Sequence, residues 1–412
     1  MAMTSARRPT RLLVYSHDAF GLGNLRRTLK ICEQLAKEIP DLSILMVTGS
    51  AMANAFRLSP KVDYVKLPCV HRQARNKYVP KYLRTTFKEL HGMRESLLLA
   101  TFQYFRPHIV LVDKVPIGIK GELLKSIEWL KTNHPKSKLV LGLRDILDDP
   151  EHVRRLWERR KFYEVLDDYY DSIWVFGSSK IYDMVEEYEF PETIARKMNY
   201  CGYLMPSPAM RDPEIVRREL GIEADKKFVL VTTGGGGDGY DVMKTYLKAS
   251  KNLLGHPQAD PQQGFQSLLV LGPDMPTHRK ERLMHRAKQT PGIVKVFEFS
   301  TEMFNYMNAA DLVVCMGGYN TMCEILSLEK QAIVVPRVAP VNEQWIRARR
   351  MQALGLVDVI HPEELTPEEM GTKLLQGLFD APDRPPLDDV LDREGLPRIS
   401  RIMADEIRGR FA

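Results

Sequence analysis

The chain has 412 residues, of which 44% are hydrophobic and 27% charged, and its net charge is +6. That length suits two domains of ordinary size, and the balance excludes a disordered or collagen-like chain. No apolar run approaches the roughly 20 residues needed to cross a bilayer, so no membrane-spanning helix is expected.

Met1–Thr10 is short, polar and basic, with no apolar stretch behind it, so no secretory signal is expected. Arg11–Tyr15 (RLLVY) reads as the first strand, Leu25–Ile39 as a helix and Ser43–Thr48 as the second strand. Val62–Leu67, Ile109–Val112, Leu139–Leu143 and Ser172–Phe176 continue the strands, with helices over Thr85–Phe105 and Gly121–Thr132. Short apolar strands alternating with helices predict a parallel sheet covered on both faces.

The pattern then restarts. Cys201–Pro213 holds three prolines and a glycine and reads as a linker. Phe228–Thr232, Leu268–Leu271, Ile293–Phe297, Leu312–Cys315 and Ala332–Val335 form a second set of strands. The expected class is therefore α/β, with two Rossmann-like, doubly wound lobes facing across a cleft. The expected domains are 1–205, 206–381 and a tail, 382–412, that is helical from about Ile399. The sequence leaves open whether that tail returns to the first lobe.

Five cysteines, Cys32, Cys69, Cys201, Cys315 and Cys323, are scattered and form no CxxC pair. Reduced thiols in a cytoplasmic protein fit best. The densest basic stretch runs from His71 to Lys88 and includes Arg72, Arg75, Lys77, Lys81 and Arg84. It is either a solvated surface or a face for anionic acceptors or lipid headgroups, with peripheral contact at the inner side of a membrane. No nucleic-acid motif accompanies it, so nucleic acid is not expected as a partner.

Chemistry-bearing residues gather where strands end. After the first strand comes Ser16-His17-Asp18-Ala19-Phe20-Gly21-Leu22-Gly23-Asn24-Leu25-Arg26-Arg27. A dinucleotide fingerprint is disfavoured, because its third glycine would fall at Arg26 and the later acidic residue is missing. Asp113 and Arg144-Asp145 also lie at strand ends, the latter pair fitting either an ion pair or a base and an anion-binding group. In the second half, Thr232–Gly239 (TTGGGGDG) follows the first strand, and its glycines, Gly235 and Gly236 among them, leave room for a phosphate. No Gly-Lys-Ser/Thr follows, so it is not a Walker A loop. Asp311–Glu324 (DLVVCMGGYNTMCE) places Gly317-Gly318 between a strand and a helix predicted to begin at about Thr321. The first turn of such a helix favours an anion. Thr321-x-x-Glu324 taken alone reads as a capping box.

The ordered set GG-x-x-T-x-x-E, a strand ending in Pro336, and then Gln344 resembles the donor region of MurG-like glycosyltransferases (family 28, C-terminal domain), which have the GT-B fold. The resemblance covers Phe228–Val359 well and the first half only at its opening loop. It implies a UDP-sugar donor and inverting hexosyl transfer, N-acetylglucosamine among the options, to a hydroxyl acceptor, with no metal or cofactor. It further implies that Glu324 holds the ribose and that Gly318, Asn320 and Thr321 sit under the diphosphate. Phe299 and Ser300 would meet the uracil with Met303 nearby, and Gln344 would contact the sugar. Glu343 stands where a second glutamine is usual. The opening loop resembles G-x-G-H-x-x-R through Gly21, Gly23 and Arg27, with Asn24 at the histidine position. Asn24 cannot take a proton, which leaves Asp18, His17 or Asp145 as the general base. Gly21, Gly23, Asn24, Arg27, Asp113 and Arg144 would then position the acceptor, whose identity is open among lipid-linked sugars, polysaccharide precursors and small metabolites. A UDP-sugar hydrolase or epimerase, and a non-catalytic nucleotide-sugar-binding protein, are the alternatives. No DxD motif follows a strand of the second half, and no His/Cys cluster suggests zinc.

Overall fold

The computed structural model describes residues 9–18, 22–74, 77–206, 210–253 and 264–411. The chain forms two compact units, Met1–Leu204 with Asp392–Ala412, and Met205–Leu391. In the first, the strands are β1 (Thr10–Ser16), β2 (Leu42–Thr48), β3 (Val62–Lys66), β4 (Val70–Ala74), β5 (Lys77–Pro80), β6 (Ile109–Asp113), β7 (Lys138–Arg144), β8 (Ser172–Phe176) and β9 (Met198–Tyr200). Seven of them make one parallel sheet in the order β3-β2-β1-β6-β7-β8-β9. The apolar runs explain this arrangement, since Leu12–Tyr15 and Val110–Val112 are buried and need helices on both faces. The strand order reverses between β1 and β6, which makes a switch point at their carboxyl ends.

The second unit repeats the plan with β10 (Lys227–Thr232), β11 (Phe265–Val270), β12 (Ile293–Phe297), β13 (Leu312–Cys315), β14 (Gln331–Val334) and β15 (Asp358–Val359). All are parallel, in the order β12-β11-β10-β13-β14-β15, with the reversal between β10 and β13. Val229, Val231, Tyr246, Leu269, Val314, Ile333 and Leu374 belong to its core.

Five elements depart from the sequence expectation. β4 and β5 pair as an antiparallel hairpin inside the basic stretch. β9 and β15 are edge strands of three and two residues, too short to show a pattern. The terminal helix spans Gly395–Phe411, beginning earlier than Ile399, and packs on the helix Gly23–Glu38. Tyr203 donates its N–H to Asp392 (2.8 Å), and Arg398 donates to the Cys201 carbonyl (2.7 Å). Gly395 is required at this junction, because a Cβ there would lie 2.4 Å from the Tyr203 carbonyl oxygen. Cys32, Cys201 and Cys315 are buried and not disulfide-bonded, and burial pushes their thiols up to about 12, so they are inert packing groups.

One charged group is built into the first core. Arg94 meets Glu122 through two bonds of 2.7 and 2.6 Å, and both side chains are fully buried. Tyr15 donates to the same carboxylate (2.6 Å), and Arg94 also donates to the Pro68 carbonyl (2.6 Å). Removing one partner strands the other charge in the interior. Glu122→Ala is therefore expected to cost about 3–5 kcal/mol in urea unfolding. Glu151→Ala, which breaks the exposed pair with Arg155, should cost less than about 1 kcal/mol.

Candidate functional site

In the second unit, buried β13 runs through Met316-Gly317-Gly318 into the helix Tyr319–Ser327. That helix begins two residues before Thr321. Its N-cap is Gly318, in an extended conformation with no side-chain cap. Thr321 is thus the third helical residue, so Thr321 and Glu324 are not a capping box, and that reading of the sequence is corrected. Glu324 sits a turn into the helix and is buried, as is Asn320, while Thr321 is half-buried. A Cβ at Gly318 would meet nothing within 4 Å, so the space over the helix end is open. Gly317 has φ +70°, and a Cβ there would press on Val334 at 2.7 Å. An N-terminus lacking a side-chain cap presents backbone N–H groups and the positive end of the helix dipole to an anion.

The glycine loop after β10 is held in place. Gly236 (φ +85°) lies so close to β11 that a Cβ would collide with the Leu271 carbonyl. Thr233 donates to that same carbonyl (3.1 Å), and Asp274 donates its N–H to Gly235 (2.8 Å). Phe299 and Ser300 follow β12, and the Ser300 hydroxyl accepts from the Glu302 N–H (3.0 Å), which fixes the entry to the short helix starting at Met303. Gln344 lies in the first turn of the helix Glu343–Ala353 and accepts the Arg337 N–H on Oε1 (2.9 Å), so its amide NH2 is oriented away from that bond. Glu343 is buried, and its carboxylate accepts from Arg347 (3.0 Å) and Arg337 (3.4 Å). Arg347 in turn donates to the Gly317 carbonyl (3.1 Å), so Glu343 supports the glycine turn through Arg347.

Sequence reasoning missed Arg337, Arg347 and Asp238. The Glu343/Arg347 spacing of four on a helix was a readable signal, whereas the reach of Arg337 to Asp238 (3.2 Å) spans 99 residues and had none.

In the first unit, β1 ends level with β2, and His17-Asp18 emerges beside Thr48. Thr48 donates to Asp18 Oδ2, and Oδ1 makes no hydrogen bond among the described residues. Burial raises the Asp18 carboxyl to about 6, outweighing the bonds from Thr48 and Ser16. His17 is also buried. Desolvation, with Lys114 and Arg94 nearby, holds its imidazole well below the ordinary range and therefore neutral. Arg27 is buried and donates to Asp113 (Nε, 3.0 Å) and to Asn24 Oδ1 (3.0 Å). Asn24 donates its NH2 to the His17 carbonyl. Arg27, Asn24 and His17 thus form a relay that fixes the loop at the end of β1. Asp145 accepts from the Ile146 N–H (2.8 Å) and packs on Gly177, where a Cβ would lie 2.7 Å from its own. Arg144 is half-buried at the end of β7, and Gly23 opens the helix Gly23–Glu38. Gly21 lies outside the described residues. Asp18, Asp113 and Asp145 thus end the adjacent strands β1, β6 and β7, with about 10 Å between the outer two strands.

Residues 229–387 match the family model of the glycosyltransferase family 28 C-terminal domain. A protein of Alkaliphilus oremlandii (strain OhILAs), named UDP-N-acetylglucosamine--N-acetylmuramyl-(pentapeptide) pyrophosphoryl-undecaprenol N-acetylglucosamine transferase, is 22% identical over 354 residues. That match covers 85% of this chain and 86% of the relative. The crystal structure of Acinetobacter baumannii MurG is similar with a TM-score of 0.56 at 11% identity, covering 96% of this chain and 100% of that one. UDP-GlcNAc 2-epimerase from Neisseria meningitidis, bound to UDP-GlcNAc, gives 0.58 at 12% identity, covering 97% and 100%. At such identities the solved structures establish the shared fold only. The matched family 28 domain on this fold defines a glycosyltransferase of GT-B fold. Within that class the chain resembles the MurG-like glycosyltransferases.

Asp18 links stability to pH in a definite direction. Its folded value of about 6 exceeds the ordinary 3.8. Its contribution to stability is therefore full below about pH 4 and is lost as pH rises through 6. Asp18→Asn should then stabilise the protein at pH 7.5 by on the order of 1–3 kcal/mol and give no gain at pH 4. Thermal melts at the two pH values check this, and an equal offset at both would contradict the assignment.

Proposed function

We propose that the protein transfers a hexosyl group, N-acetylglucosamine by analogy with its named relatives, from a UDP-sugar to a hydroxyl of a lipid-linked acceptor. The Met205–Leu391 unit binds the donor and the Met1–Leu204 unit binds the acceptor. The observation that carries this reading is the open helix end at Gly318, beside the fixed glycine loop and within the family 28 domain. The diphosphate rests on the first turn at Gly318, Asn320 and Thr321. Glu324 takes the ribose, Phe299 and Ser300 the base with Met303 beside them, and the oriented amide of Gln344 the sugar hydroxyls. Gly235 and Gly236 border the phosphates. Glu343 acts on the donor through the glycine turn it supports.

On the acceptor side, Asp18 is the general base. A carboxyl near 6 is ionised at neutral pH yet basic enough to take a hydroxyl proton. His17, held neutral with a depressed value, is the weaker base, and Asp145 is the reserve candidate. Gly21, Gly23, Asn24, Arg27, Asp113 and Arg144 shape the acceptor loops. As Asp18 removes the proton, the acceptor oxygen attacks the anomeric carbon from the face opposite the diphosphate. The bond from that carbon to the diphosphate breaks, and UDP departs with its negative charge at the helix end. One displacement inverts the anomeric centre, and no step calls for a metal.

Wild type is expected to be stabilised in a thermal-shift screen by UDP-sugars over TDP- and GDP-sugars, and Glu324→Ala should abolish the shift. No stabilisation by any of them would defeat the donor assignment. Transfer should require a second substrate and fall by about 100-fold or more in Asp18→Asn. Turnover of UDP-sugar alone would favour the hydrolase or epimerase reading, which the shared fold of the epimerase keeps in view.

The same reading places the protein at the cytoplasmic face of a membrane. No helix among the described residues is long and apolar enough to cross one. The helix Phe87–Phe105 buries Leu90, Leu98 and Phe102 on one side, while Met93, Leu97 and Tyr104 are exposed on another, with Tyr82 and Leu83 just before it. Lys77, Lys81, Arg84 and Lys88 precede or begin that helix. Exposed apolar and aromatic groups beside lysines and arginines suit an anionic lipid surface. Tyr82→Ser with Leu83→Ser should lower cosedimentation with anionic vesicles several-fold without changing the melting temperature. Unchanged binding would rule out this surface.

A further inference from the structure

The donor site holds a cation that neither the motif nor its implied roles include. β10, β13 and β14 are neighbours, with β13 in the middle. Arg337 leaves the end of β14, and its guanidinium donates to Asp238 (3.2 Å) in the glycine loop that leaves β10. The exits of β14 and β10 are two strand spacings apart, about 10 Å. The pair thus joins the loops that follow β14 and β10, on either side of β13, whose own exit carries the Gly317-Gly318 turn into the helix. Its backbone is pinned by the Gln344 side chain, and Glu343 accepts from the guanidinium at 3.4 Å. The Nε atom is buried and makes no hydrogen bond among the described residues.

The charges explain why a cation is needed there. Asp238 is the acidic residue of the glycine loop, and its carboxylate is more than one-third exposed. A diphosphate brought to that loop meets a like charge unless the carboxylate is neutralised or moved. Glu343 is already shared with Arg347, so Asp238 is the partner of Arg337 that an anion can replace.

We propose that Arg337 binds the donor diphosphate directly and that Asp238 holds its guanidinium in place until the diphosphate displaces it. A guanidinium matches phosphate oxygens with paired N–H donors, and such charge-assisted bonds are among the strongest. The proposal rests on the donor reading above and adds the residue that recognises the phosphates as distinct from the nucleoside.

The test is calorimetric titration of uridine, UMP and UDP into the full-length chain, as wild type and as Arg337→Gln, Arg337→Lys and Asp238→Asn. Arg337→Gln is expected to weaken UDP by about tenfold or more while uridine changes by less than about twofold. Arg337→Lys should fall between wild type and Arg337→Gln, and Asp238→Asn should bind UDP as tightly as wild type or more tightly. Equal losses for uridine and UDP would make Arg337 a purely structural group and overturn the proposal. So would undiminished UDP binding in Arg337→Gln, or weaker UDP binding in Asp238→Asn. If wild type binds none of the three, the donor reading itself fails and takes the proposal with it.

Discussion

A parallel sheet buried on both faces leaves the chain only one kind of place for polar chemistry, the loops that leave the carboxyl ends of its strands. Both units of this protein obey that constraint. Leu12–Tyr15, Val110–Val112, Val229–Val231 and Val313–Cys315 are so thoroughly buried that no functional group fits along them. Every residue assigned to the reaction therefore lies at a strand end, in the loop after it or in the first two turns of the helix that follows. The reversal of strand order at β1/β6 and at β10/β13 then decides which of these loops stand side by side.

The two units use that opportunity differently. The glycine loops of the second unit are made of backbone. Gly236 and Gly317 are glycines because neighbouring atoms leave no room for a Cβ, and the helix end after Gly317 presents N–H groups that favour an anion. Their charges, Glu343 and Arg347, lie behind the turn and fasten it. The β1 loop of the first unit is made of buried side chains. Arg27, Asp113, Asn24 and the His17 carbonyl form one hydrogen-bonded chain, and Asp18 hangs beside it, half-satisfied by Thr48. Asn24 suits this chain, because an amide donates and accepts at once at every pH, whereas histidine does both only while neutral. The departure from the usual histidine thus has a structural use, and it leaves His17 and Asp18 as the titratable groups of this loop.

The strands of both sheets were legible in the sequence wherever the apolar run was at least four residues long. The hairpin β4–β5 was not, because VHRQA and KYVP hold no apolar run and no strict alternation, although Val70 is buried. The helix start at Tyr319 was misplaced at Thr321, because a capping-box pattern within a helix looks the same as one at its start. Only the positions of Gly317 and Gly318 resolve it, by ending β13 and leaving the cap to the backbone.

The sequence by itself determined the two α/β halves, the glycines at their strand ends and the ordered donor motif from Phe299 to Gln344. These are local properties, set by hydrophobic period and by the freedom of glycine. The tertiary structure decided how the charges pair and ionise. It buried Asp18 and raised its carboxyl, kept His17 neutral, turned Glu343 toward two arginines and paired Arg337 with Asp238. Ionisation and charge pairing depend on burial and on distances between residues far apart in the chain, and neither quantity exists until the sheets have formed.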